Sequence, residues 1–386
     1  MRFDGFNKVW ESKQIGEIAE VVGGGTPKTE IVDYWDGEIK WFTPSEIGKT
    51  KYVFDSDRHI TEKGLKNSSA KLLPKDALLL SSRATVGEIS IALTECSTNQ
   101  GFQSLITKSN VDNDFIYYLI STIKNEFLRR SSGSTFLEIN KNEIKRMPIN
   151  IPELSEQKKI SNLFSAIDNK IEMLEKKCEY YQDFKKYLMQ RIFSSSDDKL
   201  RFNFNDAWKT VKIKDIFDER SEKGFLDLEL LSVTLNDGVI KRSEIESKDN
   251  SNENKSNYKH VLPGDIVYNS MRMWQGASGV SPYEGIVSPA YTILIPKNVY
   301  SKYFGYYFKT NEMVYQFKKY SQGLTSDTWN LKYPLISEIK IKIPSIEEQK
   351  EITNVFEIMD EKIKILQNNI DELTTFKKGL LQQMFV

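Results

Sequence analysis

Two stretches of the chain carry apolar residues at alternating steps of four and three. The first runs Ile160, Phe164, Ile167, Ile171, Leu174, Cys178 and Tyr181, then Leu188 and Ile192. The second runs Ile352, Phe356, Met359, Ile363, Leu366, Ile370 and Leu373, then Leu380 and Met384. That spacing keeps one narrow stripe on one side of a helix, the seam of a coiled coil. Both stripes are interrupted at the same place, by Lys185 and by Lys377. Pro152 and Pro344 stand just upstream, where proline can precede a helix without breaking it. Ser345 and Glu348 have capping-box spacing. At about 1.5 Å per residue, each helix of roughly 38 residues would be about 57 Å long.

The two stretches are copies. Residues 149–193 align without gaps on residues 341–385, and 19 of the 45 positions are identical. Among them are Ile151-Pro152 and Ile343-Pro344, Glu156-Gln157-Lys158 and Glu348-Gln349-Lys350, Asp168 and Asp360, and Phe184-Lys185-Lys186 and Phe376-Lys377-Lys378. The simplest partner for such a helix is the other copy, giving an intramolecular coiled coil. The long connection permits either direction, and antiparallel pairing is expected.

The segments before each helix echo one another more faintly. Trp10, Ile15 and Ile18 resemble Trp208, Ile213 and Ile216. Leu73-Pro74-Lys75-Asp76 resembles Leu262-Pro263-Gly264-Asp265, and Ser81, Arg83 and Gly87 stand at the same offset from Ser270, Arg272 and Gly276. Short apolar-rich runs at Ala77–Leu80, Glu88–Ala92 and Tyr291–Ile295 predict strands. Phe115–Phe127 and Tyr303–Phe317 predict aromatic-rich helices. The expected fold class is α+β: two similar globular modules at 1–150 and 200–340, each followed by a long helix at 151–195 and 341–386. Ser194–Asp198 has linker composition, and Asp249–Asn257 reads as a polar loop.

Composition adds little that is positive. With 54 basic and 54 acidic residues, charge alone does not single out nucleic acid. Cys96 and Cys178 form no disulfide framework, and two histidines make no metal site. No run approaches the ~20 apolar residues of a membrane span, so a cytoplasmic location is expected. Catalytic motifs are missing as well. Lys28 occupies the position of the third glycine after Gly23-Gly24-Gly25, and Thr43 replaces the glycine that a phosphate loop ending at Gly48-Lys49-Thr50 would need. Glu38-Ile39-Lys40 fits a loose nuclease pattern, but the triplet recurs at Glu143-Ile144-Lys145 and Glu338-Ile339-Lys340 as chance would have it. There is no Asn-Pro-Pro-aromatic motif of an amino-methyltransferase, and neither His59 nor His260 has a nucleophile motif nearby.

The order of motifs resembles the specificity subunit of type I restriction-modification enzymes. Gly23-Gly24-Gly25-Thr26-Pro27, followed by Tyr34-Trp35-Asp36-Gly37-Glu38-Ile39-Lys40-Trp41-Phe42-Thr43-Pro44-Ser45-Glu46-Ile47, looks like the opening of that family's target recognition domain. Pro152 with Glu156-Gln157, and Pro344 with Glu348-Gln349, look like the starts of its central and terminal conserved helices. The second module departs from the opening pattern, with Glu222-Lys223-Gly224 in place of the triple glycine.

The resemblance implies a non-catalytic DNA-recognition subunit. Each module would read half of a bipartite double-stranded DNA site, and the helices would set the spacing and dock methyltransferase subunits, two in number. S-adenosylmethionine would sit on the modification subunit, and ATP and magnesium on a restriction/translocase subunit, leaving no cofactor in this chain. A stand-alone bipartite DNA-binding protein and a coiled-coil interaction scaffold are the competing readings.

Base readout needs polar side chains on loops. The candidates are Thr26, Lys28, Ser82, Arg83, Thr85, Gln100, Ser132, Ser134 and Thr135 in the first module. In the second they are Arg272, Trp274, Gln275, Gln322, Thr325, Ser326 and Asn330. Arg83 and Arg272 stand out because both follow a strand, and a base, a phosphate or a structural partner would each suit them. Tyr34, Trp35 and Trp41 read as core. Phe184-Lys185-Lys186 fits a phosphate or partner contact, or a solvated helix face.

Overall fold

The computed structural model describes residues 1–133, 137–194, 200–235, 237–246, 251–252, 254–325 and 328–385. The chain forms two compact units, Met1–Glu175 with Asn368–Val386, and Lys176–Gln367. Both boundaries fall inside the long helices, Leu154–Ile192 and Ile346–Met384, so each unit holds part of both. Of the linker Ser194–Asp198 only Ser194 lies among the described residues, and the loop Asp249–Asn257 is described in part.

In the first unit the central strand Leu78–Leu80 is buried on both faces. Leu78 and Leu80 join a core with Phe115, Tyr118 and Phe164, whereas Leu79 joins a second core with Phe42, Cys96 and Phe102. A strand covered on both sides reads as a continuous apolar run. Its sheet has the order Ala19–Gly23, Gln103–Thr107, Leu78–Leu80, Ile89–Ala92, Tyr52–Val53, and the last pairing is parallel. A smaller sheet sets Trp35–Phe42 between His59–Ile60 and Cys96–Thr98.

The second unit repeats the plan. Ile266–Asn269 lies between Tyr291–Pro296 and Ser278–Val280, with Phe217–Glu219 at the outer edge. Ile266 and Tyr268 face the core of Phe193, Tyr303 and Phe356, and Val267 faces Leu231, Val261 and Ile293. In both units an early strand pairs antiparallel with the strand that enters a long helix, Glu11–Gln14 with Pro148–Ile151 and Lys209–Lys212 with Lys340–Ile343.

Each expected aromatic helix is in fact two. The first module has Asn113–Thr122 and Lys124–Arg129, and the second has Ser301–Tyr307 and Asn311–Tyr320. In the second module Thr310 causes the break, because its hydroxyl caps a new helix by accepting from the Met313 N–H at 3.3 Å.

The long helices run antiparallel within each unit. In the second, Phe193 stacks on Phe356 at 5.9 Å, and Lys185 pairs with Asp360. In the first, Phe164 meets Phe385 at 5.9 Å, and Lys377 pairs with Asp168. The lysines that break both seams are therefore seam residues, each neutralised by the repeated aspartate of the other helix. Tyr118 donates to Asp168 at 2.6 Å, and Tyr306 donates to Asp360 at 2.8 Å. Burial pushes both phenols well above their usual range, so they stay protonated donors. Lys185 and Lys377 are thus held within the helix pair, whereas Phe184 and Lys186 beside Lys185 are exposed on a solvated face.

The repeated Glu-Gln pair is also structural. Gln157 donates to the Pro152 carbonyl at 2.8 Å and accepts from the Asp112 N–H at 2.9 Å, while Gln349 donates to Pro344 at 3.0 Å and accepts from Tyr300 at 2.9 Å. Each glutamine therefore ties a helix start to its module. Glu156 receives a fork from Arg2, at 2.9 and 2.7 Å, and Glu348 one from Arg201, at 3.0 and 2.6 Å. Here the expected capping box is half right. Ser345 accepts from the Glu348 N–H at 3.3 Å, but the Glu348 carboxylate serves Arg201 and Trp208 rather than closing the box.

Candidate nucleic-acid interface

The first module gathers most of its candidates at one end of its central strand. The loop Ser81–Gly87 turns there, with Ala84 and Gly87 left-handed at φ of 60° and 85°. The Ser82 N–H donates to the Gly101 carbonyl at 2.8 Å, and the Ser82 carbonyl accepts from Ile139 at 3.0 Å. Three remote segments are thereby pinned together. Thr26 donates to Gln100 across one side of this edge. Arg83 pairs with Glu138 at 2.8 Å on the other, and Ser132 exchanges two backbone hydrogen bonds with Glu138, both 2.9 Å. Thr85 donates to Ser81 at 3.1 Å. Lys28, Arg83, Thr85, Gln100 and Ser132 are exposed and Thr26 is half-buried, which is what a groove-facing edge needs. Ser82 is the correction. Its side chain is fully buried and cannot reach a base, so its part is to anchor the loop through its backbone. Ser134 and Thr135 lie outside the described residues.

Trp35 and Trp41 are core. They meet edge to face at 5.1 Å, and their indole N–H groups donate to the Lys28 and Gly25 carbonyls at 3.2 and 2.9 Å. Arg58, exposed and 3.6 Å above the Trp35 ring, went unrecognised in the sequence. It has no flanking motif, and only the fold brings it over a tryptophan more than twenty residues away.

The second module builds the same edge. The Ser270 N–H donates to Ala290 at 3.2 Å, its carbonyl accepts from Leu331 at 2.8 Å, and Gln322 and Asn330 exchange backbone bonds of 3.0 and 2.8 Å. Trp274 donates to the Met271 carbonyl at 3.0 Å and meets Trp329 at 5.4 Å. Arg272, Gln275, Gln322 and Thr325 are exposed, Trp274 and Asn330 half-buried. Ser326 lies outside the described residues.

These bonds correct the alignment of the two loops. Ser270 takes the hydrogen-bonding role of Ser82, not of Ser81, and Gly264 donates to Ser281 as Asp76 donates to Ala92, each at 2.8 Å. Both Asp76 and Gly264 are left-handed, at φ of 67° and 92°. The counterpart of Arg83 is therefore Met271. Arg272 sits one position further along a loop that is one residue longer, before the shared left-handed Gly87 and Gly276. The two arginines are neighbours in role, not equivalents in place.

Burial pushes the Cys96 thiol up to about 12, far from a reactive thiolate. Among the described residues no group of three or more His, Cys, Asp or Glu could hold a metal, and no helix is long and apolar enough to cross a membrane.

Two α+β modules, each presenting an exposed polar edge and each packed on an antiparallel helix pair, define an internally duplicated protein. The model of the type I restriction modification DNA specificity domain matches residues 7–179 and again residues 205–375, and the chain belongs to that family. The MjaIX type I restriction enzyme specificity subunit of Methanocaldococcus jannaschii is 36% identical over 223 residues, spanning 54% of this chain and 52% of that one. The EcoR124I/EcoR124II specificity subunit of Escherichia coli is 27% identical over 191 residues, 45% of this chain and 47% of that one. The chain thus spans about half the length of these two relatives. Over 404 residues it is 24% identical to the MjaVIII specificity subunit of M. jannaschii, covering 96% of this chain and 91% of that one. Its fold is shared with the crystal structure of the type I S subunit from M. genitalium, at a TM-score of 0.61 and 16% identity, covering 100% of this chain and 97% of that one. The HsdS subunit from Thermoanaerobacter tengcongensis gives a TM-score of 0.53 at 13% identity, with 98% and 97% covered.

Proposed function

We propose that the chain is the DNA-recognition subunit of a type I restriction-modification complex, each module reading one half of a bipartite site. The observation that carries this is the double occurrence of one exposed edge, built by the same backbone bonds at Ser82 and at Ser270, in a chain matched twice by the specificity-domain family. Shared backbone with different side chains is what two readers of different half-sites require. The first edge offers an ion-paired Arg83–Glu138; the second offers Arg272 with Gln322. Arginine suits guanine and an amide side chain suits adenine in the major groove.

Catalysis would belong to partners in this reading. Methyltransferase subunits, two by the internal duplication, would dock on the long helices and carry S-adenosylmethionine. A restriction/translocase subunit would bring ATP and magnesium, and the assembly would work in the cytoplasm.

Methylation mapping of genomic DNA from cells carrying the complex tests the proposal. A split adenine-methylated motif that disappears on deletion of this chain is expected. Unchanged methylation after the deletion would overturn it.

A further inference from the structure

In the first unit Arg58 and Lys28 are tied to one tryptophan. Arg58 lies 3.6 Å above the Trp35 ring, close enough for its guanidinium to lie flat on the indole. The edge of the same indole donates to the Lys28 carbonyl at 3.2 Å. Both side chains are exposed, but their backbones are pinned. The Arg58 carbonyl accepts from the Ser56 hydroxyl at 2.7 Å and from the Trp41 N–H at 3.0 Å. The Lys28 carbonyl takes a second bond from the Ile31 N–H at 3.3 Å. The loop that carries Lys28 also carries Thr26, whose bond to Gln100 belongs to the reading edge.

What sets these two cations apart is how they are held. Arg2, Arg83, Arg129 and Arg130 of the same unit each pair with a carboxylate. Arg58 instead rests on Trp35, with Trp41 at 5.7 Å, and among the described residues no carboxylate pairs with it or with Lys28. Neighbouring acids are engaged elsewhere: Asp55 by His59 at 2.9 Å, Asp33 by Lys63 at 2.7 Å, and Glu46 by the Thr43 and Asp57 N–H groups at 2.6 and 2.8 Å. Stacking occupies the flat face of a guanidinium and leaves its in-plane N–H fork for an acceptor. Arg58 and Lys28 thus offer charge and donors, and neither side chain offers an acceptor. Anionic oxygens satisfy both, the fork taking two of them at once.

We propose that Arg58 and Lys28 hold the phosphodiester backbone of DNA beside the first module's half-site, with Trp35 bracing both. The assignment rests on the DNA-reading function above and fixes a division of labour within the module. Arg58 and Lys28 set the register of the duplex, and the reading of bases falls to the edge, where Thr26 and Gln100 offer acceptors as well as donors.

Fluorescence anisotropy of the full chain on a labelled mixed-sequence duplex, over a series of salt concentrations, tests it. Each phosphate contact contributes about −0.9 to the slope of log affinity against log salt. Arg58→Met keeps an apolar stem over Trp35 and removes the charge; it is expected to make the slope shallower by about one. Lys28→Met should do the same, and the double variant should lose about two. Arg58→Lys, which keeps the charge, should retain the slope. Arg129→Gln, which removes an exposed arginine paired with Glu126, should leave it unchanged. Lys28 has no part in the core, so Lys28→Met decides the matter if Arg58→Met does not fold. If the wild-type chain shows no salt-dependent binding, the DNA-reading function itself fails. If the wild type binds and the folded Arg58→Met and Lys28→Met chains keep its slope, the phosphate assignment fails alone.

Discussion

Replacing Glu348 by alanine should destabilise the second unit severely. Its carboxylate is 2% exposed and takes two hydrogen bonds from Arg201, at 3.0 and 2.6 Å, and one from Trp208 at 3.2 Å. Alanine would leave a guanidinium and an indole N–H without their acceptor. Removing one member of a buried ion pair costs about 3–5 kcal/mol. Arg201 keeps 18% of its side chain exposed, so water recovers part of that, and we expect about 3 kcal/mol. For a unit of this size that corresponds to a fall in Tm of roughly 6–12 °C. Calorimetry of Glu348→Ala, Arg201→Met and the double Glu348→Met/Arg201→Met would separate the pair from its burial. The double variant should recover much of the loss, because no charge is then left stranded. The repeat supplies an internal comparison: Arg2 is 33% exposed, so Glu156→Ala should cost less. A Tm for Glu348→Ala within 1 °C of wild type would refute the reasoning. So would a double variant less stable than either single one.

Three further outcomes are expected. Arg83→Ala should relax base preference in one half of the methylated motif only, by about 1–3 kcal/mol, whereas loss of preference in both halves would contradict modular reading. Hydrogen bonds from Lys212 and Lys214 pull the Glu338 carboxyl down to about 2, so its stabilising contribution is complete above the ordinary glutamate range and vanishes as pH falls through 2. The Tm difference between wild type and Glu338→Gln should therefore be present at pH 7 and close near pH 2; a constant difference would refute it. Adding one heptad to both long helices, about 10.5 Å, should widen the gap in the DNA site by about three base pairs, and an unchanged gap in the methylome would rule out a spacer role.

The sequence by itself determined the helices and their duplication. A coiled-coil seam is a local, periodic property, so nine apolar positions per copy were readable, and so was the shared defect at Lys185 and Lys377. What fills that defect was not readable. Asp168 and Asp360 are repeated residues, yet only the antiparallel approach of the helices decides that each lysine meets the aspartate of the other copy. Central strands were legible for the same reason as the seams: burial on both faces demands unbroken apolar runs such as Leu78–Leu80.

The site was legible as a set of loops and not as a surface. Arg83 meets Glu138 across more than fifty residues, and the Ile139 N–H reaches the Ser82 carbonyl across a similar span. No local pattern encodes such pairings, because the sheets that bring these segments together are held by backbone hydrogen bonds common to all sequences. The loop register failed for a related reason. Matching residue letters aligned Arg83 with Arg272, but the fold matches a left-handed backbone at Asp76 with one at Gly264 and admits one extra residue before Gly276. Side-chain identity is free to drift on an exposed loop, whereas a hydrogen-bonded strand end is not.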